Sequence, residues 1–344
     1  MERKLASVQI ISKVEEHDNA DSLDIVTVGG WKCIVRKGDF KEGDLCVYFE
    51  IDSEFPEQDV FTSIAPLKAN KMRLKSVRLR GKLSQGLCLP LDILNSDYIE
   101  NKKDLSSWSS KDDVTEYLGI KKYEKPISIY DGETKGHFPS FFPKTDQPRI
   151  QSNIELLDEI DGLECVITDK YDGTSFSAYY KDGEVGICKR NFEIRFGEEK
   201  KSAYQVIFEK YNLKRKLEAY GQNIVIQGEL CGPKIQQNKL NLKENELFVF
   251  DIFDIDKQKY YNPFPFYAVC STFGLKMVNT FKKSHVFSKD TTVEELLELA
   301  KGNYVESGKT KEGIVINPLK EKHSEHLGKR LSFKVINNDF LLSK

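Results

Sequence analysis

The sequence has no long apolar run and none of the cysteine pairs that mark a structural metal centre. Its 344 residues contain no window of about 18 apolar residues, so no membrane-spanning helix is expected. The seven cysteines are scattered and form no CxxC pair, which argues against a zinc site and favours a reducing, intracellular compartment, cytoplasmic or nuclear. The first residues carry charges where a signal peptide needs its apolar region.

The sequence also has almost no excess charge of either sign. Its 52 basic and 54 acidic residues leave a net charge of −2, so the whole molecule is not a generic binder of polyanions. Residues 68–82, KANKMRLKSVRLRGK, depart from this balance with seven basic residues and no acidic one. Such a local excess favours a phosphate-binding surface over a solvated pair of strands.

The length and the hydrophobic pattern indicate two domains of different class. Residues 1–95 contain short apolar or alternating runs separated by turn signals, which is typical of a small OB-type β-barrel. That fold often grips nucleic acid. Residues 96–137 turn polar and predict a linker with one short helix. Residues 138–344 alternate strands with helices and predict an α+β domain.

The individual elements follow from apolar periodicity and from turn residues. In the first domain the predicted strands are residues 5–12, 23–28, 31–36, 45–51, 72–79 and 87–89. In the second they are residues 163–167, 174–180, 223–227, 247–255, 313–316 and 331–336. Helices are predicted over residues 201–220 and 292–301, with Thr292 as the cap of the latter.

Four charged residues border or interrupt apolar runs in the second domain, namely Lys170, Glu229, Glu312 and Lys334. A charge at such a place is costly unless it is paired or faces a cleft. Any one of them alone is more often a structural ion pair, but two cations and two carboxylates together favour a shared polar cleft. Lysines would hold phosphate there, and carboxylates would hold a divalent metal, as phosphoryl or nucleotidyl transfer requires.

The stretch KYDGTS, residues 170–175, resembles the KxDG motif of ATP-dependent ligases and mRNA-capping enzymes. Five further stretches follow it in the order usual for that superfamily: CKRNFEI, GELCGPKIQQN, FVFDIFD, KEGIVI and SFKVIN. The N-terminal stretches VGGWKCIVRKGDFKEGD and RLRGKLSQGL resemble the OB module of RNA ligases of the Deinococcus and Naegleria type. The resemblance implies an ATP-dependent RNA ligase whose OB domain precedes an adenylyltransferase domain of antiparallel sheets with flanking helices.

Two related enzyme classes and one non-catalytic class remain alternatives. DNA ligases and capping guanylyltransferases carry their OB domain after the catalytic one, and only ten residues follow Lys334 here. We therefore expect the β-rich module to act from the N-terminal side. A non-catalytic OB-type RNA-binding protein is the third alternative, although the charged set at Lys170 would then have no purpose.

The resemblance implies a role for each matching residue. Lys170 would attack ATP and become lysyl-AMP, and the AMP would pass to a 5′-phosphate RNA end that a 3′-hydroxyl then joins, in a nicked duplex. Mg²⁺ or Mn²⁺ would bind Asp172, Glu229 and Glu312 through water, and the enzyme would be a monomer. The nucleotide would contact Arg149, Asp169, Arg190, Glu229, Phe250, Glu312 and Lys334. The RNA or the β- and γ-phosphates would contact Arg78, Arg80, Lys82 and Asn191.

Several of these roles have a structural alternative. Phe250 fits core packing as well as adenine stacking, Arg149 fits a surface charge, and Asp172 fits a turn. The last motif commonly has two lysines one residue apart, and Ile336 stands where the second would fall, so Lys329, Arg330 or the OB domain would have to supply that charge. An ordinary lysine has a pKa near ~10.4, so a metal or a second cation must lower the pKa of Lys170.

Overall fold

A computed structural model describes residues 4–123, 133–197 and 201–343 of the chain. The chain forms two compact units, one from Met1–Pro126, Gln151–Ile154 and Leu341–Lys344 and the other from Ile127–Ile150 and Glu155–Phe340. The predicted domain limits 1–95, 96–137 and 138–344 stay predictions. None of the helices in the described ranges is both long and apolar enough to cross a membrane.

Short strands joined by tight turns build the first unit, as the sequence pattern predicts. Two of them have the predicted limits, because a turn containing Gly29 at φ 54° joins them as a hairpin. The strands are β1 Ala6–Glu16, β2 Leu23–Val28, β3 Trp31–Arg36, β4 Leu45–Phe49, β5 Ser53–Glu54, β6 Val77–Leu79, β7 Lys82–Ser84, β8 Leu87–Pro90 and β9 Lys121–Lys122, and the helices are α1 Asp59–Thr62 and α2 Ala65–Ala69.

The central sheet of this unit is antiparallel and has the order β3-β2-β1-β4-β8. Alternate residues of β3 are buried, with Trp31, Cys33 and Val35 on the inner face, as a half-buried strand requires. The predicted strand over residues 72–79 is realised only as the short β6, which pairs with β7 in a separate hairpin. The sheet fits the predicted OB-type barrel.

Residues 96–123 differ from the predicted polar linker, because their few apolar side chains pack into the core of the first unit. Ile99, Trp108, Val114, Leu118 and Ile120 are all buried there. Hydrogen bonds tie the segment to β1, where the amide of Val8 donates to the carbonyl of Asp112 at 2.9 Å. The rest of the predicted linker includes residues 124–132, which lie outside the described residues.

The second unit alternates strands and helices, as predicted. Its strands are β10 Thr134–His137, β11 Glu164–Lys170, β12 Thr174–Lys181, β13 Glu184–Cys188, β14 Phe192–Ile194, β15 Ile224–Cys231, β16 Glu246–Asp254, β17 Lys259–Tyr260, β18 Lys276–Met277, β19 Thr280–Val286, β20 Gly313–Pro318, β21 His323–Ser324, β22 Lys329–Arg330 and β23 Phe333–Ile336. Its helices are α3 Leu156–Ile160, α4 Ala203–Lys210, α5 Leu213–Tyr220, α6 Pro263–Phe273, α7 Val293–Leu299 and α8 Asn338–Leu342.

Two sheets carry the charged residues singled out in the sequence. The larger has the order β10-β14-β13-β12-β15-β16-β17, and β18 pairs with β16. The smaller has the order β19-β11-β20-β23. Helices α4, α5 and α6 supply apolar side chains to the core beside the larger sheet, whereas α3 and α7 supply the core beside the smaller one.

The predicted helix over residues 201–220 is two helices. Asn212 between them has a left-handed conformation, with φ 50° and ψ 42°. An α-helix cannot continue through such a residue, so α4 ends and α5 starts in a new direction. The other predicted helix is confirmed as α7, and Thr292 caps it in a reciprocal capping box with Glu295.

Candidate active site

Lys170 is the last residue of β11, and its amine lies in a polar site. Its Nζ donates to Glu312 Oε2 at 2.7 Å, and both side chains are mostly buried. Glu312 directly precedes β20, and the antiparallel register sets Lys170 opposite Gly313. The pairing of two central strands therefore brings together residues that are 142 positions apart in the sequence.

Gly313 is required where β20 starts beside Glu312. It has φ 151°, and a Cβ at this position would lie 2.1 Å from the carbonyl oxygen of Val335 on β23. Only glycine allows β20 and β23 to approach so closely. The close approach sets Lys334 on β23 opposite Val315 on β20.

Glu229 lies on β15 of the larger sheet and reaches the turn that follows Lys170. Its Oε1 accepts from the amide of Gly173 at 3.2 Å. A Cβ on Gly173 would lie 2.4 Å from the carbonyl oxygen of Leu230, so a side chain at 173 would push the turn away from β15. Asp172 is buried in the same turn. Its charge and those of Glu229 and Glu312 all act on the pKa of Lys170.

Burial raises the pKa of the Glu229 carboxyl to about 7, with Lys170 acting in the opposite direction and Glu312 adding to the rise. A carboxyl group with such a pKa exchanges its proton near neutral pH. A cation that approaches Glu229 stabilises the charged carboxylate, so the carboxyl group can then release its proton to solvent.

Lys334 and Arg149 bring positive charge to the same site. The amide of Lys334 donates to the carbonyl of Pro148 at 2.9 Å, and Lys334 and Arg149 lie side by side as a short parallel bridge. Burial, together with the charges of Lys170 and Arg149, lowers the pKa of Lys334 to about 7. Arg149 thus lies next to a residue of the predicted site, where the sequence also allowed a surface charge.

The pKa of Lys170 is raised above its ordinary value, contrary to the expected lowering. Burial favours the neutral amine, but the charge of Glu312, that of Glu229 and the hydrogen bond that Lys170 donates to Glu312 outweigh burial. Three carboxylates near one amine hold its proton. Lys170 is therefore an ammonium ion in the resting protein, and its neutralisation needs positive charge brought into the site.

Asp169 lies on the face of β11 away from Lys170, because successive side chains of a strand point to opposite faces. Its carboxylate accepts from Lys311 Nζ at 2.8 Å and from the amide group of Asn279 at 2.6 Å. Asp169 and Lys311 are both buried. The carboxylate of Asp169 therefore belongs to a buried ion pair, and a contact of this residue with the nucleotide stays a prediction.

Sequence reasoning missed Tyr304, whose hydroxyl links the chain segments of Lys170 and Glu312. It donates to the carbonyl of Lys170 at 2.7 Å and accepts from the amide of Glu312 at 3.0 Å. Sequence reasoning also missed Lys311, the partner of Asp169. The only sequence signal for Lys311 was its place directly before the glutamate of KEGIVI. Tyr304 lies in no motif and its hydroxyl bonds to backbone groups, so no sequence signal pointed to it.

Phe250 lines a cleft of about 630 Å³ that is partly open to solvent. Val166 and Thr168 line the same cleft, and they lie on the face of β11 that also carries Lys170. Phe250 is half-buried, unlike Val249 and Phe248 before it, which are buried. Part of the Phe250 side chain is thus accessible in this cleft, and the rest packs against the cluster that contains Tyr171 and Tyr304.

Arg190 and Asn191 lie together on an exposed edge of the second unit. Arg190 pairs with the carboxylate of Asp146 at 3.0 Å, and the side-chain oxygen of Asn191 accepts from Lys144 at 3.0 Å. Lys329 Nζ lies 3.5 Å from the carbonyl oxygen of Asp146. The three cations Lys144, Arg190 and Lys329 thus lie together, and this surface is called the basic edge.

Comparisons with known proteins place the sequence in a family. An RNA ligase family matches residues 163–336, which include Lys170, Glu229, Glu312 and Lys334, and an OB-fold domain matches residues 5–91. The solved RNA ligase of Naegleria gruberi with pyrophosphate is 34% identical, with a TM-score of 0.83 over 99% of each chain. The chain belongs to the RNA ligase family. No curated protein sequence matches it.

Further structures of the Naegleria gruberi enzyme resemble this ligase equally well. A mutant with AMP and Mn is 34% identical at a TM-score of 0.85, and another mutant with ATP and Mn is 33% identical at 0.83, each over 99% of both chains. The predicted family, the OB-type barrel and the adenylyltransferase-type domain of antiparallel sheets are thereby confirmed.

Two of the three candidates for the missing second lysine of the last motif lie in the second unit, and their surroundings differ. Arg330 donates to Asp251 at 2.8 Å and lies over the ring of Tyr260, with its guanidinium carbon 4.0 Å from the ring centre. That guanidinium is already held in a buried ion pair. Lys329 is exposed, on the basic edge with Arg190.

The three predicted phosphate contacts of the basic segment lie in the first unit of the ligase. Arg78 and Arg80 are exposed on the β6–β7 hairpin, and Lys82 pairs with Asp18 at 2.6 Å. They are thus in a different unit from Lys170, and their contact with phosphate stays a prediction.

The carboxylates around Lys170 fit a metal held through water. Within the described residues, no three His, Cys, Asp or Glu side chains converge closely enough to hold one ion directly. Asp172, Glu229 and Glu312 nevertheless surround one amine, and hard divalent cations prefer oxygen ligands. Water molecules between the ion and these carboxylates would complete the coordination.

Proposed function

We propose that this RNA ligase is ATP-dependent and joins a 5′-phosphate end of RNA to a 3′-hydroxyl end through a lysyl-AMP at Lys170. One observation carries the proposal: the amine of Lys170 lies 2.7 Å from Glu312, with Glu229, Asp172 and Lys334 close enough to act electrostatically on it or on its partners. The ATP, AMP and Mn in the similar Naegleria structures support it.

The first step is attack of Lys170 Nζ on the α-phosphorus of ATP. The N–P bond forms, the bond to pyrophosphate breaks, and the ammonium group of Lys170 loses two of its three protons to solvent. Because the carboxylates hold the ammonium form, the step requires charge that counters them. Asp172, Glu229 and Glu312 would hold a divalent cation through water, and such a cation would supply the charge that counters these carboxylates and the phosphates. Glu229, whose pKa is about 7, would release its own proton to solvent when that charge is present.

Lys334 and Arg149 would hold the α-phosphate while Lys170 attacks. Lys334 loses its proton near neutral pH in the free protein because burial and two cations disfavour its charge. A phosphate would restore that charge. The adenine would enter the cleft beside Phe250, where an aromatic face can stack on it.

The AMP then moves from Lys170 to the RNA 5′-phosphate, and the 3′-hydroxyl attacks that phosphate and displaces AMP. The second step breaks the N–P bond and forms a phosphoanhydride between AMP and the RNA, and the third breaks that phosphoanhydride and forms the phosphodiester, so no further energy source is needed. The basic edge lies in the catalytic unit, with Asn191 beside its cations Lys144, Arg190 and Lys329, and the terminal phosphate would bind there. Because its motifs resemble those of nick-sealing enzymes, we propose a nicked duplex as the substrate.

Covalent labelling tests this function directly. Incubation with ATP labelled at the α-phosphate and Mg²⁺ should transfer label to the wild-type protein, and Lys170→Met should carry none. Lys181→Met is a matched control, because Lys181 also ends a strand before an Asp-Gly turn and contacts a carboxylate, that of Asp182. It should label like the wild type. Label retained on Lys170→Met would contradict the proposal.

The same labelled protein decides between the enzyme classes. Addition of a nicked duplex with a 3′-ribonucleotide end should release the label as AMP and yield sealed RNA. A nick with only deoxyribonucleotides at that end should seal at least tenfold more slowly. Transfer of GTP label instead of ATP label would indicate a capping enzyme, and equal sealing of both nicks would indicate a DNA ligase.

A further inference from the structure

The hydroxyl of Tyr304 forms a bridge between the two chain segments that carry Lys170 and Glu312. It donates to the carbonyl of Lys170 at 2.7 Å and accepts from the amide of Glu312 at 3.0 Å. The last ladder pair between β11 and β20 is Lys170 with Gly313, so the amide of Glu312 lies beyond the ladder. The tyrosine therefore supplies a cross-strand link where the backbone ladder has ended.

Tyr304 is itself held rigidly. Its side chain is only 1% exposed, and its ring packs edge-on against Tyr171, with ring centres 5.3 Å apart. Its amide donates to the carbonyl of Lys309 at 2.8 Å, and its carbonyl accepts from Gly308 at 2.9 Å, which closes a tight turn around the residue. Because the backbone and the ring of Tyr304 are both held in place, its hydroxyl has a fixed position relative to the two strand ends.

We propose that Tyr304 is a positioning residue that sets the distance between the Lys170 amine and the Glu312 carboxylate for the attack on ATP. This inference rests on the function proposed above. The hydroxyl lies against backbone groups and does not touch the amine or the carboxylate, so it acts through the two strand ends. Its loss leaves a buried carbonyl and a buried amide without their shared partner, and the strand ends then separate or turn.

The test measures the adenylylation of Lys170 in single turnover with Tyr304→Phe, which removes only the hydroxyl. The maximal rate should fall by about 10- to 100-fold, as expected when a reacting group is misplaced by up to an ångström. The ATP concentration at half-maximal rate should change by less than about twofold, because the hydroxyl contacts only main-chain groups of Lys170 and Glu312 and none of the side chains proposed to bind ATP.

Tyr179→Phe is the matched control. Tyr179 is also buried in the second unit, and its hydroxyl donates to Glu193 at 2.6 Å, on another part of the sheet. Both variants should lose similar thermal stability, but Tyr179→Phe should keep the wild-type rate. Equal rate losses in the two variants, or a loss in Tyr304→Phe confined to ATP affinity, would overturn the inference.

Failure of the inference can be told apart from failure of the proposed function. If wild-type protein forms no covalent adenylate, the function is wrong. If wild type forms it and folded Tyr304→Phe forms it at the same rate, only the role of Tyr304 is wrong. Should Tyr304→Phe not fold, 3-fluorotyrosine at position 304 keeps the ring and weakens the acceptor, and it should slow the step by about two- to fivefold. An unchanged rate there also overturns the role.

Discussion

Lys334 is buried beside two cations, and its proton is therefore weakly held in the free ligase. Burial is the main cause of its pKa of about 7, the charges of Lys170 and Arg149 contribute to the lowering, and those of Asp146 and Glu312 oppose it. An anionic phosphate reverses the balance, because it stabilises the charged amine. A lysine of this kind binds a proton together with its phosphate, whereas an arginine at the same place would stay charged throughout.

We expect ATP binding at pH 8 to take up protons. With a pKa of about 7 in the free protein, Lys334 is mostly neutral at pH 8, and a raised pKa in the complex gives an uptake of up to ~0.9 proton at this residue. Calorimetric titrations with α,β-methylene-ATP, which cannot transfer its adenylyl group to Lys170, in buffers of different ionisation enthalpy and at fixed free Mg²⁺, measure this number. Lys334→Arg should lose that part of the uptake. An equal proton uptake by the wild type and by Lys334→Arg would contradict the assignment of that uptake to Lys334.

Much of the candidate site could be predicted residue by residue from the sequence. A charged residue at the end of an apolar run is costly unless it has a polar site, so Lys170, Glu229, Glu312 and Lys334 stand out, and the structure brings them to one place. The pKa of Lys170 could not be predicted, because its direction depends on how many carboxylates come closest. Roles in binding and catalysis stay predictions for all four.

At the scale of strands and helices, the hydrophobic pattern of the sequence predicts the positions of the elements better than it predicts the contacts between them. A short apolar run located a strand over residues 163–167, which the structure extends to Lys170, but it could not reveal that Asp169 pairs with Lys311. Asn212 is of a residue type that tolerates the left-handed conformation, but the helical periodicity of residues 201–220 outweighed that weak signal. Composition misled over residues 96–123, because a few buried apolar side chains suffice to anchor a polar segment.

The Asp169–Lys311 pair should contribute strongly to the cohesion of β11 and the segment before β20. Asp169→Asn leaves a buried ammonium ion without its counter-charge, and we expect the free energy of unfolding to fall by about 3–5 kcal/mol. Urea unfolding of the second unit measures it. Lys201→Met, which breaks an exposed pair with Glu209 at 2.6 Å, should cost less than about 1 kcal/mol.

A double variant separates a charge effect from a packing effect at the same strands. Asp169→Leu with Lys311→Met replaces both charges with apolar groups and should recover most of the stability lost by Asp169→Asn. If the double variant is no more stable than Asp169→Asn, the pair does not act through its charges. The two side chains would then contribute to stability only through the space that they fill in the core.

On the scale of the whole molecule, the charged groups fall into two sets in two units. The catalytic unit holds Lys170, its carboxylates and the basic edge with Arg190. The other unit holds the hairpin with Arg78 and Arg80, on a chain whose net charge is only −2. Because the whole molecule is almost neutral, any attraction to RNA has to come from such local sets.

The basic hairpin therefore offers a test of how the first unit takes part in ligation. Replacing Arg78, Arg80 and Lys82 by glutamine should leave adenylylation of Lys170 unchanged but reduce the salt dependence of RNA binding. Each lost phosphate contact lowers the slope of log K against log salt by about 0.7–0.9, so three contacts lower it by about 2–3. Lys82 should contribute least, since Asp18 already pairs with it. Binding of nicked duplex at several salt concentrations gives the slope.

A matched triple variant at Lys37, Lys41 and Lys102, exposed lysines of the same unit outside the basic segment, should leave the slope as it is in the wild type. If the hairpin variant instead weakens ATP use while the slope stays constant, the hairpin contacts the β- and γ-phosphates and not RNA. If it changes neither quantity, the seven cations of residues 68–82 are a solvated surface. The catalytic unit would then have to bind both substrates with its own residues, and the basic edge at Arg190 and Lys329 would be the place to look.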